Sequence, residues 1–138
     1  INHEGDVDII VGSRFLRDSK RYYDDKKQSP VAIDLMSIFL NKICKFFLFK
    51  DFNDYTSGYI CIKKDIIKNI KLKGYYGDYF ITLISVCKSL DKNIIEIPFT
   101  EKERASGESK TTKNKIDFIF KCLFYFIALI KSLVIKYS

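Results

Sequence analysis

Val7-Asp8-Ile9-Ile10-Val11-Gly12-Ser13-Arg14-Phe15 is the stretch on which the fold turns. Its apolar run is rich in β-branched residues and stops at a glycine. A short run of this kind has the make-up of a buried strand, as found in parallel sheets covered on both faces. Arg14 then stands just past the strand's carboxyl end, where α/β sheets hold their ligands. Its planar fork matches phosphate oxygens. Taken alone, the segment also suits a solvated loop arginine.

Outward from that strand, residues 15–28 are crowded with Arg, Lys and Asp, which predicts a polar loop. Ser29 and Pro30 suit the cap and first turn of a helix. Apolar residues then keep helical spacing from Val31 to Phe49. Asp51 to Gly58 is a polar turn, and Tyr59 to Ile62 a strand. A short helix follows from Lys63 to about Ile70. Gly74 and Gly77 bracket a tyrosine-rich loop, Tyr79 to Leu90 is helical, and Asn93 to Phe99 is a strand stopped by Pro98. Thr100 to Lys115 is polar, and a last apolar helix runs from about Asn114 to Tyr137. Strands alternating with helices predict an α/β fold.

The 138 residues suffice for one core, and 47% hydrophobic with 30% charged residues is ordinary for a folded chain. The net charge of +7 calls for an anionic partner. Much of the excess sits beside the most apolar segment, on Lys110, Lys113, Lys115, Lys121, Lys131 and Lys136 against Asp117. That placement favours a membrane surface over nucleic acid. Cys44, Cys61, Cys87 and Cys122 form no CxxC pair and are expected as reduced, buried thiols. His3 lies far from any of them, which argues against zinc. The chain opens with Ile1 and enters an apolar run almost at once, so it is read as a piece of a longer polypeptide.

Two further segments carry chemistry. In Asp54-Tyr55-Thr56-Ser57-Gly58-Tyr59 an acid, two hydroxyls and a glycine make a tight turn into a strand. It is either an Asx-type turn with local hydrogen bonds or a sheet edge that presents Asp54 to a substrate. In Arg104-Ala105-Ser106-Gly107-Glu108-Ser109-Lys110 two cations, hydroxyls and a glycine can wrap a phosphate. A flexible basic loop explains the same residues, and the Walker spacing is absent.

Taken in order, Gly12-Ser13-Arg14-Phe15, Asp54-Tyr55-Thr56-Ser57-Gly58-Tyr59 and Arg104-x-x-Gly107-x-Ser109-Lys110 resemble three segments of the polyprenol-phosphate glycosyltransferases of family 2, the group that includes dolichol-phosphate mannose synthases. Ile95-Glu96-Ile97-Pro98-Phe99 is similar to the E-V-P strand of that family, and Ser37 and Asn41 match its S-x-x-x-N helix. The resemblance covers about residues 5–115. It implies an α/β fold forming the C-terminal half of a GT-A (nucleotide-diphospho-sugar transferase) domain, a mixed sheet flanked by helices that ends in an amphipathic or apolar helix. Residues 1–113 would be the acceptor-side part of the catalytic domain, and 114–138 a membrane-interfacial or packing helix.

The implied activity is inverting transfer of a sugar from a nucleotide donor of the GDP-mannose or UDP-glucose class to a polyprenyl or dolichyl phosphate. It would take place at the cytoplasmic face of a membrane, with the protein peripheral or anchored, and without nucleic acid. A divalent metal, Mg or Mn, would be held by an Asp-x-Asp upstream of Ile1, leaving no metal ligand in this chain and an isolated chain without activity. On the resemblance, Arg14 and Asp54 are the catalytic pair. Ser13, Arg14, Thr56, Ser57, Arg104, Gly107, Ser109 and Lys110 would bind substrate phosphates. The family's basic residue before the Ser37 position is replaced by Ile33 or Asp34, with Lys26 or Lys27 as substitutes. Its G-Y-x-F-x-x-E helix start becomes Gly77-Asp78-Tyr79-Phe80-Ile81-Thr82-Leu83, where Asp78 is the remaining acid.

Two other functions stay open. A saccharide acceptor would need a base to deprotonate a hydroxyl, which would make Asp54 or Asp78 essential. A non-enzymatic basic module that binds membranes is supported by charge and aromatics alone. The apolar run from Cys122 to Ile130 is too short to span a bilayer core. The last helix is therefore an interfacial helix, a packing helix or the start of a longer span.

Overall fold

The computed structural model describes residues 6–22, 31–71, 74, 77–102 and 115–137. The decisive stretch forms strand β1, Ile9–Ser13, in the middle of a three-stranded sheet. Of the other strands, β2 is Lys20–Tyr22, β3 is Ile60–Ile62, β4 is Ile94–Pro98 and β5 is Thr100–Lys102. Helix α1 spans Val31–Phe47, α2 Lys64–Lys68, α3 Tyr79–Ser89 and α4 Lys115–Tyr137.

The expectation of an α/β fold with a mixed sheet holds; the β-branched run of β1, read locally as the make-up of a parallel sheet, has one parallel and one antiparallel neighbour. β1 pairs parallel with β4, Val11 opposite Glu96 and Ser13 opposite Pro98. It pairs antiparallel with β3, Val11 opposite Ile60. Pro98 closes β4 at an edge of this sheet, the position where a missing N–H costs no ladder bond. β2 and β5 form a separate parallel pair, Arg21 opposite Glu101. Both fall in segments expected to be loop. Charged residues gave no apolar alternation there, and the pairing is long-range.

Ile9 and Val11 point to one side of β1 and are fully buried. They meet Phe80, Ile81, Leu83, Ile84 and Cys87 of α3 together with Leu40, Cys44 and Leu48 from α1 and the residue following it. The spacing of Leu40, Cys44 and Leu48 is one helical stripe. α3 is buried broadly because α4 packs on it, through Ala128 and Leu129. α3 ends with the amides of Asp91 and Lys92 bonded back to Lys88 O and Cys87 O, and Asp91 takes φ 51. That is a Schellman closure with an aspartate at the left-handed position.

Lys136 at the far end of α4 donates to Phe47 O at 2.9 Å and Leu48 O at 2.6 Å. It satisfies carbonyls that the end of α1 leaves without helical partners. Cys44 and Cys87 are buried as expected, whereas Cys61 is exposed and Cys122 half-buried; all four are free thiols. Burial pushes the Cys44 thiol up to about 12 and the Cys87 thiol to about 11.

Candidate functional site

The site lies at the carboxyl end of β1. Ser13 is the last strand residue, and Arg14 turns back over the polar segment 53–57. Arg14 donates from its backbone N and from Nε to Asp54 Oδ2, both at 2.9 Å, and from Nη2 to Asp54 Oδ1 at 2.9 Å. Nη2 also donates to Thr56 Oγ1 at 2.7 Å. The Asp54 side chain is fully buried, and that of Arg14 is 14% exposed. A buried carboxylate needs such a partner, and the bidentate fork supplies charge and orientation together.

Asp54 also folds its own turn. Its Oδ1 accepts from Thr56 N at 3.1 Å, the Asx-type bond foreseen in the sequence. Ser57 Oγ donates to Gly12 O, tying the turn to the strand. Tyr59 stacks on Phe99 at 4.1 Å beside Gly12, where a Cβ would meet Phe99 at 3.3 Å.

The turn is gripped from two sides by residues for which the sequence supplied only a resemblance. From α1, Asn41 Oδ1 accepts from Tyr55 N at 2.5 Å, and its Nδ2 donates to Thr56 Oγ1 at 2.8 Å. Ser37 Oγ lies 2.8 Å from the same Thr56 hydroxyl. From β4, Glu96 accepts from Asn53 N, Asn53 Nδ2 and Asp54 N at 2.9, 2.8 and 3.0 Å. Lys45 Nζ donates to Asn53 Oδ1 at 2.8 Å. Below the turn Tyr55 is fully buried, and its hydroxyl bonds Phe49 N and Phe49 O. Burial pushes the Tyr55 phenol above its ordinary range.

Asp78, at the start of α3, is buried. Nearby, a Cβ added to Gly77 would lie 2.6 Å from Tyr125 Oη of α4, so the phenol fills the space that glycine leaves. Burial raises the Tyr125 phenol first, the charge of Asp78 raises it further, and Arg14 lowers it. α4 therefore borders the same region as Arg14.

Ser13, Arg14, Asp54, Thr56 and Ser57 are thus brought together, with Ser37, Asn41 and Glu96 added. The Ser13 hydroxyl is fully buried and has no hydrogen-bond partner among the described residues. Arg104, Gly107, Ser109 and Lys110 lie outside the described residues, as do Lys26, Lys27, Ser29 and Pro30. Among the described residues no three His, Cys, Asp or Glu side chains lie together as a metal-binding group.

The arginine–carboxylate cluster thus stands at the carboxyl end of the central strand of an α/β sheet, the end at which such sheets hold their ligands. More particularly, the chain is similar to a dolichol-phosphate mannosyltransferase of Pyrococcus furiosus, 31% identical over 107 residues, 75% of this chain. That relative is a glycosyltransferase by name, and the chain spans 28% of its length. No protein-family model and no solved structure matches the chain.

Proposed function

We propose that this chain is the acceptor-side part of a family 2 glycosyltransferase of the GT-A type that moves a sugar from a nucleotide donor to a polyprenyl phosphate, with inversion. The observation that carries the proposal is the Arg14 fork, held by Asp54 and Thr56 at the carboxyl end of β1. The similarity to the mannosyltransferase relative supports glycosyl transfer.

In the proposed reaction an acceptor phosphate oxygen attacks the anomeric carbon, and the bond to the donor diphosphate breaks on the opposite face. A phosphate monoester is already ionised near neutral pH, so the step needs positioning and charge neutralisation more than a base. The geometry favours this over a hydroxyl acceptor. Both Asp54 oxygens are occupied by Arg14, which suits an orienting group better than a proton acceptor. Arg14 is also charge-balanced by Asp54, so a bound phosphate requires further cations. Arg104 and Lys110 are assigned that role, with Gly107 and Ser109 giving backbone approach and a hydroxyl. The divalent metal implied by the resemblance finds no ligand set among the described residues.

Residues 1–113 would form the catalytic part, and 114–138 would lie at the cytoplasmic face of a membrane. α4 turns Ile119, Leu123, Phe126, Ile130 and Val134 outwards, all about half or more exposed. That spacing is one apolar stripe, as interfacial helices have, with Lys131 exposed on the same helix and Lys121 turned into the protein. No helix among the described residues is long and apolar enough to cross a membrane.

The deciding experiment is a transfer assay on the full-length protein with nucleotide sugars and polyprenyl phosphate. Arg14→Ala and Arg104→Ala are each expected to lose at least about a hundredfold in rate, and Arg14→Ala also to lower the unfolding midpoint because it leaves Asp54 buried without its cation. Wild-type rates in both variants overturn the site. Product formed only on a saccharide acceptor overturns the lipid-phosphate acceptor.

A further inference from the structure

Glu96 sits on β4, opposite Val11 of β1, one step back from the sheet's carboxyl rim. Among the described residues its carboxylate bonds Asn53 and Asp54 alone. Oε2 receives the backbone N and the side-chain amide of Asn53, and Oε1 receives the backbone N of Asp54. A half-buried carboxylate is thus used wholly on two consecutive residues, holding both backbone N–H groups and one side-chain amide. Bonds to a charged acceptor are about twice as strong as neutral ones, and three on one side chain leave that backbone little freedom.

The held residue matters because of what it carries. Asp54 meets Arg14 through three donors and Arg14 meets Thr56 through a fourth. Displacing the Asp54 backbone would swing the carboxylate and the guanidinium fork with it. β4 is anchored on the other side of Arg14 too, since Phe99 N donates to Ser13 O at 3.0 Å. The strand therefore brackets Arg14, and it leads in sequence towards Arg104 and Lys110.

We infer that Glu96 is a positioning residue: it fixes Asn53 and Asp54 so that Asp54, by engaging Nε and Nη2, holds the Arg14 guanidinium in one orientation beside the acceptor phosphate. This rests on the proposed phosphate grip of Arg14. Glu96 touches no reacting group and acts through Asp54. Reactions that depend on positioning lose roughly a hundredfold for a displacement of about 1 Å, so a remote carboxylate can control rate.

The test uses the full-length protein, with Glu96→Gln compared against wild type and Ile84→Val, a core control expected to lower stability alone. Glu96→Gln is expected to raise the KM for polyprenyl phosphate roughly tenfold or more and to leave the KM for the donor unchanged. In a nitrogen-15 spectrum the Arg14 Nε–H should exchange with water faster than in wild type. Ile84→Val should move neither reading. If Glu96→Gln lowers the unfolding midpoint yet keeps the wild-type acceptor KM and Arg14 exchange, the positioning role is wrong. Should Glu96→Gln not fold, Glu96→Asp keeps the charge and draws it back by one methylene. It should shift both readings the same way, and wild-type values in it overturn the inference. Arg14→Ala run in parallel separates the two ideas: wild-type transfer there defeats the phosphate grip itself, whereas a loss in Arg14→Ala with none in Glu96→Gln defeats only the part assigned to Glu96.

Discussion

Asp54 and Arg14 show how much one buried pair decides. The carboxylate is fully enclosed, and its stability comes from the guanidinium fork, the Thr56 amide and the strand-end amide of Arg14. Removing one partner of such a pair leaves the other charge buried without compensation. Asp54→Asn is therefore expected to cost roughly 2–4 kcal/mol, read as a lower midpoint in urea unfolding. Transfer activity should fall further than stability explains. Of the pair, the sequence showed the residue types and the turn. It did not show that they bond each other, because they are 40 positions apart. The basic segment with Arg104 and Lys110 lies outside the described residues.

Elements meet at this site through small residues and caps. α4 reaches the start of α3 by placing the Tyr125 hydroxyl where Gly77 has no side chain. Gly77→Ala would put a methyl 2.6 Å from Tyr125 Oη, which something must yield to accommodate. The expected cost is about 1–3 kcal/mol. In a Tyr125→Phe background the nearest remaining atom is the ring carbon at 3.6 Å, an ordinary contact, so most of that cost should vanish. A double-mutant cycle by thermal unfolding measures the coupling. Helices α1, α3 and α4 were legible from apolar spacing to within about two residues at their ends. β2 and β5 were not, because three-residue charged strands owe their existence to each other.

Across the whole molecule, burial sets the response to alkali. The folded thiols of Cys44 and Cys87 titrate near 12 and 11, above the ordinary value of 9.0 that they regain on unfolding. A raised folded value gives stability that is complete below about pH 9 and is lost as pH climbs towards those values. Each group contributes up to about 1.4 kcal/mol per pH unit in that window. The unfolding midpoint should thus drop above pH 9, and Cys44→Ala should flatten the slope without removing it. The outward apolar stripe of α4 predicts a second bulk property. Full-length protein should float with vesicles containing anionic lipid, and protein left at the bottom at every salt concentration would oppose an interfacial helix.

By itself the sequence determined the α/β class, the central strand, the helices and the two described polar segments that carry chemistry. Each is a local matter of periodicity, β-branching or turn-forming residues. Tertiary structure alone decided the strand order β3-β1-β4, that Asp54 spends its oxygens on Arg14, and that Glu96 and Asn41 hold the turn between them. Hydrogen bonds between residues 14 to 43 positions apart leave no local pattern, since they exist only once the chain has brought their partners within 3 Å.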